Sequence, residues 1–116
     1  MKEFALIKAL RCMLPPPGPG VAVGVGDDAA VLAPRGRPLA VTTDTQIEGV
    51  HFRSEWLSPA GIGGRALEVV LSDLAAVGAA PRAVVVALQL PDTLPGRSAL
   101  AIMRGLIARA AARRCD

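Results

Sequence analysis

Apolar residues fall at helical spacing in three stretches of the chain and in short continuous runs in four others. Phe4, Ile7 and Leu10 predict a short amphipathic helix over residues 3–12. Pro15-Pro16-Pro17-Gly18-Pro19-Gly20 ends it, because proline removes backbone donors and disfavours continued helix. Val21 to Val25 reads as a strand. Gly26-Asp27-Asp28 interrupts, and Ala29 to Ala33 resumes the apolar run. Pro34 to Pro38 reads as a turn, and Leu39 to Thr43 as a third strand ending at Asp44. A polar loop with Glu48, His51 and Glu55 leads to Ser58-Pro59. That pair offers a capping hydroxyl followed by a proline suited to the first helical position. The helix it opens is predicted to run to about Val77 and to stop at Gly78. Ile62, Ala66, Val69 or Val70, and Val77 share one of its faces, and Asp73 falls on the same stripe. Ala83 to Leu90 is a fourth predicted strand. Leu100, Met103, Ile107 and Ala110 mark a final helix.

The predicted order is α, three β, α, β, α. It indicates an α+β domain, a mixed or antiparallel sheet with helices over one face. Composition narrows the picture. The 116 residues are 52% apolar and 20% charged, which excludes a disordered tail. Aromatics are only 3%, so Ala, Val and Leu must build the core. Such a short chain buries a limited share of its surface, and a partner chain would help it. No run approaches the ~18–20 apolar residues of a membrane helix. The N-terminus lacks the apolar stretch of a secretory signal, and Cys12 and Cys115 show no CxxC spacing. The expected setting is the cytoplasm, with no membrane partner.

Charge is segregated along the chain. The net charge is +3, yet seven of the ten acidic residues lie between Asp27 and Asp73. Arg97, Arg104, Arg109, Arg113 and Arg114 crowd the last twenty residues. No aromatic or nucleic-acid motif accompanies these arginines, so they read as a solvated helix face and not as a nucleic-acid interface. The central acids point to cations. Adjacent Asp27 and Asp28 repel each other unless a cation lies between them. Thr42, Thr43 and Asp44 end another predicted strand and offer hard oxygen donors of the kind magnesium takes alongside substrate phosphates. Asp73 on an apolar stripe costs free energy unless something pairs with it. Each of these also has a plain structural reading, as a turn, a strand end or a satisfied helix acid. Three acids on three elements favour the joint reading. No phosphate-binding lysine loop and no GxSxG elbow is present. His51 is the single histidine, either a ligand contact or a loop residue. Gly61-Ile62-Gly63-Gly64 at a helix start would either receive an anion or permit close packing.

Four blocks occur in order: Gly24-Val25-Gly26-Asp27-Asp28-Ala29-Ala30-Val31-Leu32, Thr42-Thr43-Asp44-Thr45, Glu48-Gly49-Val50-His51-Phe52, and Leu71-Ser72-Asp73-Leu74-Ala75-Ala76-Val77-Gly78-Ala79. Together they resemble the N-terminal half of the thiamine-monophosphate kinases, in the aminoimidazole ribonucleotide synthetase-like superfamily. Pro81-Arg82-Ala83 and Leu90-Pro91 extend the likeness.

The resemblance implies ATP-dependent phosphorylation of thiamine monophosphate to thiamine diphosphate with Mg2+. It implies Asp28, Asp44 and Asp73 as magnesium ligands, Thr42 and Thr43 as supporting ligands, Asp27 as a weaker candidate, and His51 as a contact to thiamine monophosphate. It also implies a homodimer formed through the sheet. Two positions depart from the family pattern: Arg65 stands for a lysine and Val70 for an asparagine. The family continues past the position of Asp116 into a strand, a Gly-Gly-Asp-Thr segment and a C-terminal domain. Residues 1–116 are therefore expected to form an incomplete N-terminal domain, binding ATP and magnesium. The competing expectations are a non-catalytic dimerisation module and another enzyme of the same superfamily.

Overall fold

The computed structural model describes residues 2–26, 29–33 and 36–116. Five elements follow the chain: α1 (Glu3–Met13), β1 (Val21–Val23), β2 (Val31–Leu32), α2 (Pro59–Ala76) and α3 (Gly96–Ala112). This is an α+β chain, and its three helices fall where periodicity predicts them. The predicted stop of α1 holds, with Leu14 still donating to the Leu10 carbonyl before the prolines begin.

Helix α2 starts as Ser58-Pro59 dictates. The Ser58 hydroxyl accepts from the Gly61 N–H at 3.1 Å, and Pro59 occupies the first turn, where a missing N–H costs nothing. The helix ends in a Schellman motif. Ala79 N–H reaches the Leu74 carbonyl at 2.9 Å, Gly78 N–H reaches that of Ala75 at 3.0 Å, and Gly78 takes φ +69°. Helix α3 ends the same way, with Cys115 N–H on the Ala110 carbonyl and Arg114 N–H on that of Ala111. Here the left-handed position is held by Arg114, at φ 55°, a conformation that strains a residue with a Cβ.

The core lies between α2 and α3. Leu67, Leu106, Ala110 and Cys115 form its buried cluster, with Leu71 and Val84 packed against it. Ala99 and Met103 are also buried. The helices cross so closely that a Cβ on Gly63 would collide with the Ile102 carbonyl, and one on Gly105 with that of Ala60. Of the two readings of the glycine run, close packing is the one the structure shows for Gly63. Glu68 on α2 ties the far end of the pair. It accepts two bonds from Arg113, at 3.0 and 3.2 Å, and lies 3.3 Å from Arg109 Nε. Two of the arginines expected to be merely solvated thus share an acid.

β1 and β2 form an antiparallel hairpin in which Val21 pairs with Leu32 and Val23 with Val31, with an irregularity between Val21 and Val23. Arg82 clasps this hairpin from the segment after α2. Its Nη2 donates to the carbonyls of Gly20, at 2.8 Å, and Ala33. The same segment meets the end of the chain: Asp116 N–H donates to the Arg82 carbonyl at 2.9 Å, and Val84 N–H to that of Asp116 at 2.7 Å.

The expected sheet is corrected in extent. Leu39 to Thr43 and Ala83 to Leu90 are not strands, and the described sheet has two strands only. A strand exists only through bonds to a neighbour, and among the described residues these segments pair with none apart from the Asp116 contacts. Val41 and Val85 are accordingly exposed, at 78% and 82%. Helix α1 also departs from expectation: none of its residues is buried, and Phe4 is 83% exposed. Among the described residues α1 touches α3 and not the strands. Among the described residues, no helix is long and apolar enough to cross a membrane.

Candidate functional site

Two groups of predicted site residues can be traced. The first joins the segment after β2 to helix α2. Thr42 Oγ1 donates to Asp73 Oδ2 at 3.2 Å, across a sequence separation of 31 residues. The long α2, capped at Ser58, carries Asp73 four turns along to meet this segment. Asp44 lies two residues beyond Thr42, and its carboxylate is held locally. One oxygen accepts from Thr45 N–H at 2.7 Å and the other from Gln46 Nε2 at 3.1 Å. Such short-range bonds hold the carboxylate against the two residues that follow it. Thr43 is exposed beside it. Asp27 and Asp28 lie outside the described residues.

Asp73 departs from expectation in one respect. The face of α2 that meets α3 carries Gly63, Gly64, Leu67 and Leu71, and not the stripe of Ile62, Ala66, Val69 or Val70 and Val77 on which Asp73 falls. That stripe is at most partly covered, leaving Asp73 exposed and Val77 70% exposed. The carboxylate therefore stays in water and carries no burial penalty. The described residues hold no group of three or more His, Cys, Asp or Glu side chains arranged for a metal. Thr42, Asp44 and Asp73 are nonetheless all oxygen donors, the chemistry a hard cation requires, and exposure leaves their free lone pairs open to one. In kind, the residues fit magnesium.

The second group is the loop between Ile47 and Leu57. Its backbone closes on itself. His51 N–H bonds the Ile47 carbonyl at 2.8 Å, and Gly49 N–H bonds that of Phe52 at 2.8 Å, with Gly49 at φ +81°. Only a residue without a Cβ takes that φ freely. Ile47 N–H donates to His51 Nδ1 at 3.0 Å. With Nδ1 an acceptor, the ring proton of the neutral imidazole resides on Nε2. Glu48 Oε1 caps Ser54 N–H at 3.3 Å. Arg65, from α2, donates through Nη2 to the His51 carbonyl at 3.2 Å.

This loop and α2 form an open cavity of about 330 Å³ lined by His51, Phe52, Arg53, Trp56 and Arg65 among others. The Arg53 guanidinium stands 5.3 Å from the Trp56 ring centre, a cation–π contact. The cavity thus presents two guanidinium groups, one imidazole N–H and one indole. Such walls suit a ligand with an aromatic ring and an anionic group. Of these residues, the sequence marked His51 as a candidate contact and Arg65 only as a departure from the family pattern. Trp56 was visible only as the single tryptophan, and Arg53 as one cation in a polar loop. Three such residues within five positions of one another were the available signal.

The N-terminal domain of the AIR synthase related proteins matches residues 26–116. A thiamine-monophosphate kinase of Synechococcus elongatus is 51% identical over 68 residues, 58% of this chain and 21% of its own length. That of Escherichia coli is 48% identical over 73 residues, 62% of this chain and 22% of its own length. That of Haemophilus influenzae is 41% identical over 93 residues, 79% of this chain and 28% of its own length. The match thus spans less than a third of each relative. Matched across residues 26–116 by that domain, the chain belongs to the AIR synthase related protein family and carries its N-terminal domain.

Proposed function

We propose that this chain is the magnesium- and substrate-binding N-terminal part of a thiamine-monophosphate kinase, which transfers the terminal phosphoryl group of ATP to thiamine monophosphate. The similarity to enzymes of that name supports it. The single structural observation that carries it is the Thr42–Asp73 hydrogen bond, which joins two oxygen donors from distant parts of the chain. Phosphoryl transfer asks a protein chiefly for positioning and charge neutralisation. When bound, magnesium supplies that neutralisation between two polyanions. Asp44 and Asp73 would hold it with Thr42 and Thr43 in support, joined by Asp28 and, more weakly, Asp27. His51, at the other group, offers its Nε2–H to the acceptor substrate. The reaction belongs to the cytoplasm, where the free thiols of Cys12 and Cys115 persist.

The chain forms a homodimer in this reading. Val41, Val85 and their neighbours leave apolar backbone unpaired, and a second copy would supply the strands those segments lack.

The test is protection from thermal unfolding by ATP, thiamine monophosphate and Mg2+ together, in the wild type and in Asp73→Asn. Magnesium-dependent protection in the wild type, weakened at least tenfold in its magnesium midpoint by Asp73→Asn, is the expected result. Protection that is indifferent to Asp73 removes that residue from the site. A stable dimer without any magnesium-dependent protection would replace the kinase reading with that of a dimerisation module.

A further inference from the structure

His51 is held at three points, and only two of them are local. Its backbone N–H and its Nδ1 both engage Ile47, four residues away, which closes a small ring within the loop. So small a ring in an exposed loop opens readily without an outside anchor, and the Nδ1 contact that fixes the tautomer opens with it. The third point is the bond from Arg65 Nη2 to the His51 carbonyl at 3.2 Å, which crosses 14 residues and fastens the loop to α2. Helix α2 is in turn fixed by its Ser58 cap and by the glycine crossing with α3. A guanidinium carries five donors in a rigid fork, so one bond to a carbonyl leaves others at the cavity it lines.

We propose that Arg65 is the positioning residue of this cavity: by holding the His51 carbonyl it seats the 47–57 loop on α2, so that the imidazole meets its ligand as the Nε2–H tautomer. The ligand class, an anionic group joined to an aromatic ring, rests on the kinase reading above. The positioning role itself does not.

The chain has one histidine and one tryptophan, so both can be observed without interference. Long-range 1H–15N correlation of the His51 ring, without ligand, reads the tautomer. The wild type should show Nδ1 as an unprotonated acceptor and Nε2 as protonated. In Arg65→Met, which keeps the apolar stem, the two ring signals should move toward each other as the tautomers mix, and Arg65→Lys should restore most of the separation. Thiamine monophosphate titrated against Trp56 fluorescence should then bind roughly tenfold more weakly to Arg65→Met, the scale of one hydrogen bond to a charged group. Arg65→Lys should fall between. An unchanged ring pattern in Arg65→Met overturns the proposal. So does a tenfold affinity loss with an unchanged ring pattern, which would make Arg65 a direct ligand contact instead. If the wild type ignores thiamine monophosphate while Arg65→Met still mixes the tautomers, the positioning role stands and the substrate reading falls.

Discussion

Replacing Gly63 by alanine adds one methyl group where α2 and α3 cross. By propensity alone the change should help, since alanine is favoured over glycine in a helix interior by about 1 kcal/mol. The structure reverses the sign. The new Cβ would run into the Ile102 carbonyl, with the Leu106 N–H about 3.0 Å away, and both are backbone atoms that cannot rotate aside. The helices must separate, and the packing of Leu67 against Leu106 and Ala110 loosens with them. Overpacking of this kind costs about 1–3 kcal/mol.

Gly64 is the control. It has the same backbone and the same propensity, but its Cβ would stand 3.6 Å from the Gly105 carbonyl, an ordinary contact. The difference between Gly63→Ala and Gly64→Ala therefore isolates the collision. It should be about 1–3 kcal/mol, with Gly64→Ala at or above wild-type stability. In urea, followed by helical circular dichroism, the two midpoints should differ by about 0.7–2 M at an m-value of ~1.5 kcal/mol/M. Equal midpoints, or a Gly63→Ala variant more stable than wild type, would refute the close crossing.

Other expectations follow from single residues. Arg114→Gly relieves the left-handed strain at the end of α3 and should raise stability by about 0.5–1 kcal/mol, read as an upward shift in Tm. Glu68→Gln removes the acid shared by Arg109 and Arg113; exposed pairs are worth little, so the loss should be no more than ~1 kcal/mol and should shrink in high salt. Burial first, and the Asp116 charge second, push the Cys115 thiol above its ordinary pKa. Its neutral form is favoured when folded, so this stabilisation is complete below the unfolded thiol's pKa and disappears as pH rises through the folded one. Exposed Cys12 should therefore react first with a thiol reagent, and stability should decline toward alkaline pH unless Cys115 is replaced by alanine.

What could be read in advance follows the range of the forces. The Ser58-Pro59 start, the Gly78 stop and the three helices depend on residues a turn apart, and the structure has them in place. Leu39 to Thr43 and Ala83 to Leu90 have the composition of strands, but a strand needs a neighbour that composition does not name. The exposure of Asp73 was hidden for a related reason: α2 is apolar on more than one face, and the face that meets α3 is the one with Gly63, Gly64 and Leu67, where the helices can approach closely. The Thr42–Asp73 contact was foreshadowed, because both residues stood among the cation candidates. The bond from Arg65 to a backbone carbonyl was not, since a carbonyl acceptor leaves no mark in the sequence.

The Arg82 clasp has a consequence for the order of assembly. The α2–α3 pair holds the buried cluster, whereas Arg82 reaches the Gly20 carbonyl across 62 residues without one. Joining distant segments costs loop entropy before any contact rewards it. The helix pair is thus the natural nucleus, and the hairpin docks late, through one guanidinium and few buried side chains. Amides of the hairpin, such as the Ala33 N–H bonded to the Gly20 carbonyl, should exchange with solvent through local opening while those of α2 and α3 stay protected until the whole chain unfolds. Gly24 to Gly26, the approach to the two adjacent aspartates, therefore belongs to the last part of the molecule to settle and the first to let go.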